Sequence, residues 1–131
     1  MAGGELPKQM QDQIEHFQTL QNQVLALAQQ RQTYEAQTRE LERANEALAG
    51  ITADAPVYRS VGAFLVKTPG KAAAVAQIGE ESEILGVRLK NVERQESRMK
   101  EQLSELQSKI EHGLARLRSG TSPTADDEGD D

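Results

Sequence analysis

The sequence has no cysteine and no tryptophan, and only 3 % of its residues are aromatic. Without cysteine, disulfides and thiolate metal sites are excluded. The scarcity of rings excludes more. A compact globule of 131 residues normally packs several large aromatics, and this chain has only Phe17, Tyr34, Tyr58 and Phe64. Two histidines, His16 and His112, are too few for an imidazole metal cage. No stretch is long and apolar enough to span a membrane, and the amino end lacks the apolar run of a signal peptide, so a cytoplasmic chain is expected.

The usual signs of chemistry are missing as well. Gly3-Gly4 and Gly70-Lys71 lack the spacing of a phosphate-binding loop. No Ser-His-Asp or Cys-His arrangement can be assembled. Glu80, Glu81 and Glu83 form a carboxylate cluster, but near a helix start, where acids complement the dipole, and without the enclosing pocket that catalytic acids need. His16 and His112 approach one another only if the helices pair in register, and ordinary exposed histidine is the favoured reading. No enzyme activity, cofactor or metal is expected.

Charge of one sign is confined to the tail. Of the net charge of −6, most comes from Asp126, Asp127, Glu128, Asp130 and Asp131. The remainder is nearly balanced, which gives no electrostatic footprint for nucleic acid. The tail reads as a solvated end, with contact to a basic patch on a partner as the sharper alternative.

What the chain does contain is heptads. In its first third, Leu20, Leu27, Tyr34, Leu41 and Leu48 recur every seven residues. Met10, Phe17, Val24, Arg31, Thr38 and Asn45 form a second series, and the two together give the three-and-four spacing of a coiled-coil seam. The second series turns polar after Val24. No glycine or proline interrupts residues 8–49, and Gly50 supplies a helix stop of the Schellman kind, with Ile51 for the apolar contact.

The last third repeats the pattern. One series is Ile78, Leu85, Val92, Met99 and Leu106; the other is Val75, Ser82, Leu89, Glu96, Leu103, Ile110 and Leu117. Thr68-Pro69 reads as an N-cap with proline at the first helical position. Gly79 and Gly86 each weaken a helix by roughly 1 kcal/mol relative to alanine, which leaves a start near Glu80 open. Arg31 and Glu96 both occupy seam positions, either as a polar pair or, the favoured reading, with both side chains reaching out to solvent.

Between the helices, Val57-Tyr58-Arg59-Ser60-Val61 and Ala63-Phe64-Leu65-Val66-Lys67 are rich in β-branched and aromatic residues. Gly62 lies between them, and Asp54-Ala55-Pro56 and Thr68-Pro69-Gly70 bracket them. This predicts a β-hairpin. The expected fold is mainly α with a small β element: a long antiparallel two-helix coiled-coil hairpin with a β-hairpin at its turn. The whole of 1–131 is one unit, with a first helix over 7–49, an assembly hairpin over 57–67, a second helix over 70–117 and a disordered acidic tail over 118–131. Each helix would be on the order of 60 Å long.

A lone two-stranded hairpin is marginal in water, and its open edges invite other strands. The chain is therefore expected to assemble through Val57, Tyr58, Val61, Gly62, Phe64, Leu65 and Val66, with hairpins from several subunits joining into one larger sheet or barrel. At the opposite end Met10, Ile14, Phe17 and Leu20 fall near Ile110, Leu114 and Leu117. Ile14 and Leu114 lie beside the strict seam and widen the apolar stripe. Extra grip where a coiled coil frays and an apolar contact surface for other proteins are both open readings.

These stretches resemble the β-type prefoldin subunit. Phe17-Gln18-Thr19-Leu20-Gln21-Asn22-Gln23 resembles its glutamine-rich first helix. The run from Val57 to Val66, with Tyr58 and Gly62 in place, resembles its hairpin, and Val92-Glu93-Arg94-Gln95-Glu96-Ser97-Arg98 its second helix. The likeness covers about residues 5–117. One hairpin between the helices fits the β-type; the α-type carries a longer β insertion. Gly79, Gly86 and the acidic tail depart from the family pattern.

The resemblance implies a hexamer of two α-type and four β-type subunits whose hairpins form a double β-barrel body. It implies capture of unfolded client proteins by the coiled-coil tips and delivery to a group II chaperonin, without ATP use by the prefoldin itself. Met10, Ile14, Phe17, Leu20, Ile110, Leu114 and Leu117 are the client-contact candidates, by their position at the tips. A structural coiled-coil adaptor for one folded partner is the alternative. A nucleic-acid-binding arm is disfavoured by the charge balance, and no membrane partner is expected.

Overall fold

Helix-forming residues without an interruption produce the first element. Lys8–Ala49 is a single α-helix, α1, and Lys71–Arg118 a second, α2. Two short strands lie between them, β1 at Tyr58–Val61 and β2 at Phe64–Lys67. The computed structural model describes residues 6–120. The acidic residues Asp126 to Asp131 and the Gly3-Gly4 pair lie outside the described residues.

The chain divides into two compact units. One combines α1 up to Ala28 with α2 from Arg94; the other is Gln29–Glu93. In the first, Met10 and Leu20 are buried, at 3 % and 4 % exposure. The Met10 methyl sits where a Cβ on Gly113 would be, so the absence of a side chain at Gly113 seats Met10 against α2. In the second unit the Lys71 ammonium donates to the Ile51 carbonyl at 2.9 Å. Further along, Leu41 and Leu85 share a groove. Moving back along α1 from Ile51 to Leu41 thus moves forward along α2 from Lys71 to Leu85, and the helices of this unit are antiparallel.

Burial follows the heptads along most of both helices. On α1 the less exposed positions include Phe17, Val24, Leu27, Arg31, Tyr34, Thr38, Leu41 and Leu48, while Asn45 is exposed. On α2, Leu85 and Val92 are buried, and Leu89, Met99, Leu103, Leu106 and Ile110 are half-buried. The start of α2 differs from the expected seam. Val75 and Ser82 are exposed, and Ala74 and Glu81 are the less exposed residues instead. Two successive four-residue steps, Glu81 to Leu85 to Leu89, replace the alternation there. Such a stutter locally unwinds a coiled coil and rotates the earlier inward positions by one residue.

The helix ends differ from the two expected caps. Gly50 does not take a left-handed conformation. Instead Gly50 and Ile51 donate to the carbonyls of Ala47 and Leu48, at 3.2 and 3.3 Å, so α1 tightens into a last turn of 3₁₀ type. The left-handed glycine closes α2: Gly120 has φ 86° and donates to the Leu117 carbonyl. At the start of α2 the capping residue is Gly70, whose carbonyl accepts from Ala74 at 3.0 Å. Glycine has no side chain to cap with, and its own N–H, 3.3 Å from Thr68 Oγ1, donates to that hydroxyl. Thr68 and Pro69 therefore precede the helix, and α2 then runs unbroken through Gly79 and Gly86.

The hairpin pairs Tyr58 with Lys67, Arg59 with Val66, Ser60 with Leu65 and Val61 with Phe64. The second strand starts at Phe64, because Gly62 and Ala63 make the turn. Gly62 has φ 60° and among the described residues no non-glycine residue, Ala63 included, has positive φ, which is the type II′ pattern that matches strand twist. Beyond the strands, Thr68 N–H and Oγ1 both donate to the Val57 carbonyl at 2.9 Å and extend the pairing by one step.

Candidate interaction surfaces

Every residue of the two strands is exposed. The register sorts them into two faces, since cross-strand partners point the same way. Arg59, Val61, Phe64 and Val66 share one face; Tyr58, Ser60, Leu65 and Lys67 share the other. Phe64 is 76 % exposed and Leu65 74 %, so each face carries a large uncovered apolar side chain. Gly62 at the turn has open space around it, and Val57 is half-buried just before β1. An ion pair ties the hairpin to α2: the Arg59 guanidinium lies 3.2 Å from the Glu81 carboxylate, both partly exposed. An ion pair of this kind contributes at most about 1 kcal/mol.

The apolar residues of the other unit are mostly covered. Met10 and Leu20 are buried in the seam, while Ile14, Phe17, Ile110, Leu114 and Leu117 are half-buried. The stripe that Ile14 and Leu114 widen is therefore partly accessible, without any of the seven standing free. His16 and His112 are both exposed, and no group of three or more potential metal ligands occurs among the described residues.

Seam polarity is resolved in part. Glu96 is 5 % exposed, so it does not reach out to solvent as expected. Its carboxylate pairs with Lys100 at 3.4 Å, one turn further along the same helix. A buried carboxylate needs such partners, because taking a charge out of water unpaired is costly. Arg31 is less deeply placed and pairs with Glu35 at 3.4 Å on its own helix.

Four exposed apolar residues escaped the sequence reading. Val75 fits the heptad spacing of the seam; Ile84, Val87 and Leu25 belong to neither heptad series, the one signal in the sequence that they face outward. Ile84 borders a shallow groove of about 440 Å³ whose other walls are Gln37, Glu40, Leu41, Glu81, Leu85 and Arg88.

Helix, short two-stranded hairpin and helix is the arrangement shared with known proteins. The prefoldin subunit family matches residues 11–115. The chain belongs to the prefoldin family. Its similarity is to the β-type subunits. It is 40 % identical over 110 residues to the prefoldin subunit beta of Methanosarcina acetivorans, which covers 84 % of this chain and 93 % of that one. Against the prefoldin subunit beta of Pyrobaculum neutrophilum, identity is 34 %, covering 92 % and 95 % of the two chains.

Among solved structures, the prefoldin beta subunit of Thermococcus strain KS-1 superposes with a TM-score of 0.75 at 35 % identity, over 84 % of this chain and 96 % of that one. Two long helices with a two-stranded antiparallel hairpin between them are thus the fold of the prefoldin β subunit. Prefoldin subunits are chaperone components that form hetero-oligomers with other prefoldin subunits. No described helix of this chain is long and apolar enough to cross a membrane.

Proposed function

We propose that this chain is an ATP-independent co-chaperone subunit, assembled through its hairpin and holding unfolded proteins at the far ends of its helices. The observation that carries the proposal is the uncovered hairpin. Burying a side chain such as Phe64 or Leu65 contributes roughly 1.5–3 kcal/mol, and this chain alone leaves both in water. Its strand edges are also open. Both needs are met if hairpins from several subunits join, so Val57 to Val66 is the assembly segment. The prefoldin family suggests the form: two α-type and four β-type subunits around a double β-barrel.

Client holding is assigned to the unit that carries the half-buried stripe. Ile14, Phe17, Ile110, Leu114 and Leu117 make the contact, with Met10 and Leu20 supporting them from the seam. Contact from one arm is weak. Several arms around one client raise the apparent affinity without requiring a particular sequence. Transfer to a group II chaperonin in the cytoplasm completes the reading, and no bound nucleotide takes part.

The test uses the complex formed with an α-type subunit. Phe17→Ser combined with Leu117→Ser is expected to weaken suppression of client aggregation, while the mass of the complex by light scattering is unchanged. Unchanged suppression would remove the tip assignment. Binding of one folded partner, with no effect on aggregating clients, would favour a coiled-coil adaptor.

A further inference from the structure

Leu25 is an apolar side chain that neither the seam nor the widened stripe uses. It is 60 % exposed on α1. It also sits in the one long stretch of the helix without charge: between His16 and Arg31 no residue carries an ionisable side chain. The part of α2 in the same unit is different, with Arg98, Glu101, Glu105 and Lys109 all exposed.

Ile14, Gln18, Gln21 and Leu25 follow one another at steps of four, three and four, which places them on one flank of the helix. At the α-helical rise this flank is ~16 Å long. Gln18 and Gln21 are exposed, and so is Asn22 beside them. Among the described residues none of these three carboxamides has a hydrogen-bond partner, whereas Gln11 donates to the Leu6 carbonyl and Gln30 to the Tyr34 hydroxyl.

A carboxamide carries two N–H donors and one carbonyl acceptor, the same groups that a peptide bond presents. A folded protein pairs its peptide groups internally; an unfolded one does not. An uncharged amide surface also avoids the large desolvation cost of a buried charge. Such a surface suits an extended chain of any sequence and any net charge. At a strand's rise of about 3.3 Å per residue, the flank matches roughly five residues of it.

We infer that this flank of α1 is a docking strip for the main chain of an unfolded protein. The carboxamides of Gln18, Gln21 and Asn22 pair with its peptide groups, and Leu25 takes one of its apolar side chains. The inference rests on the client-holding reading and adds a main-chain component to it.

The experiment measures binding to the assembled complex by fluorescence anisotropy. The probes are a short, uncharged, apolar peptide and the same peptide N-methylated at alternate backbone amides. The variants are Gln18→Ala/Gln21→Ala/Asn22→Ala, which keeps strong helix formers on the surface, and Leu25→Ala. The triple variant is expected to bind the plain peptide at least ~5-fold more weakly, the effect of one net hydrogen bond. N-methylation should weaken binding to the parent complex and make little difference to the triple variant. Leu25→Ala should weaken both peptides alike.

Unchanged binding in the triple variant, or an equal penalty for N-methylation in parent and variant, would overturn the inference. Loss of binding in Phe17→Ser/Leu117→Ser would still uphold the tip reading in that case. A parent complex that binds neither peptide would remove both.

Discussion

The hairpin and the paired ends of the helices hold the same kinds of side chain in opposite conditions. Phe64 and Leu65 stand in water, while Met10 and Leu20 are nearly sealed. The helices can satisfy their apolar residues within one chain, because each supplies the other with a matching stripe. Two four-residue strands cannot, because each face of a two-stranded sheet needs a layer over it, and among the described residues every strand side chain stays exposed despite the Arg59–Glu81 ion pair. The helices thus find their apolar cover within the chain, and the hairpin is where the proposed assembly would supply it.

The largest effect should come from the dependent region. Phe64→Asp with Leu65→Ser is expected to abolish the mixed complex, seen as loss of the high-mass species in light scattering, while helix content by circular dichroism stays near the parent. Loss of helix together with assembly would break the comparison, since it would show that the helices are not self-sufficient.

Next in size is the self-sufficient region. Leu20→Ala and Leu85→Ala each remove a buried seam side chain and should lower stability by about 2–4 kcal/mol in urea unfolding. A change below about 0.5 kcal/mol, the size usual for surface sites, would mean that the seam is not packed as described.

Glycines sharpen the contrast further. A Cβ at Gly79 or Gly86 meets open space, so alanine at either position should stabilise the helix by roughly 0.5–1 kcal/mol. At Gly113 the same change displaces the Met10 methyl and should bring a smaller gain or a loss. Thermal unfolding of the three variants separates the cases. The smallest effect is Arg59→Ala, expected to lower stability by less than about 1 kcal/mol, because both partners of its ion pair are partly solvated. Repeating that measurement at high salt should leave little difference between variant and parent.

Much of this was legible in advance. Local patterns act at short range: a heptad fixes which residues of a helix face a partner, and β-branched residues around Gly62 specify a hairpin. The positions that misled were those where two local signals compete. Gly79 and Gly86 argue against a helix, yet the seam of Ile78, Leu85 and Val92 carries α2 across them. Val75 and Ser82 fit the heptad, yet the stutter at Leu85 turns them outward. Thr68 is a better capping residue than Gly70, yet its hydroxyl is already committed to the Val57 carbonyl and to the Gly70 N–H.

The candidate surfaces divide in the same way. Of the hairpin residues singled out in the sequence, all but the half-buried Val57 are exposed. The sequence did not distinguish the buried Met10 and Leu20 from the half-buried Phe17 and Leu117, since all four lie on one stripe.

The order of elements, most of the seam and the expectation of partners are legible in the sequence alone. These follow from the spacing of apolar residues along the chain and from having too few large side chains for a globule. Which members of the stripe are half-buried rather than sealed, where the seam shifts register, and the burial of Glu96 beside Lys100 emerge with the packed helices. Those depend on what stands across from each residue, and the packing partner is set by the fold rather than by neighbours in the chain.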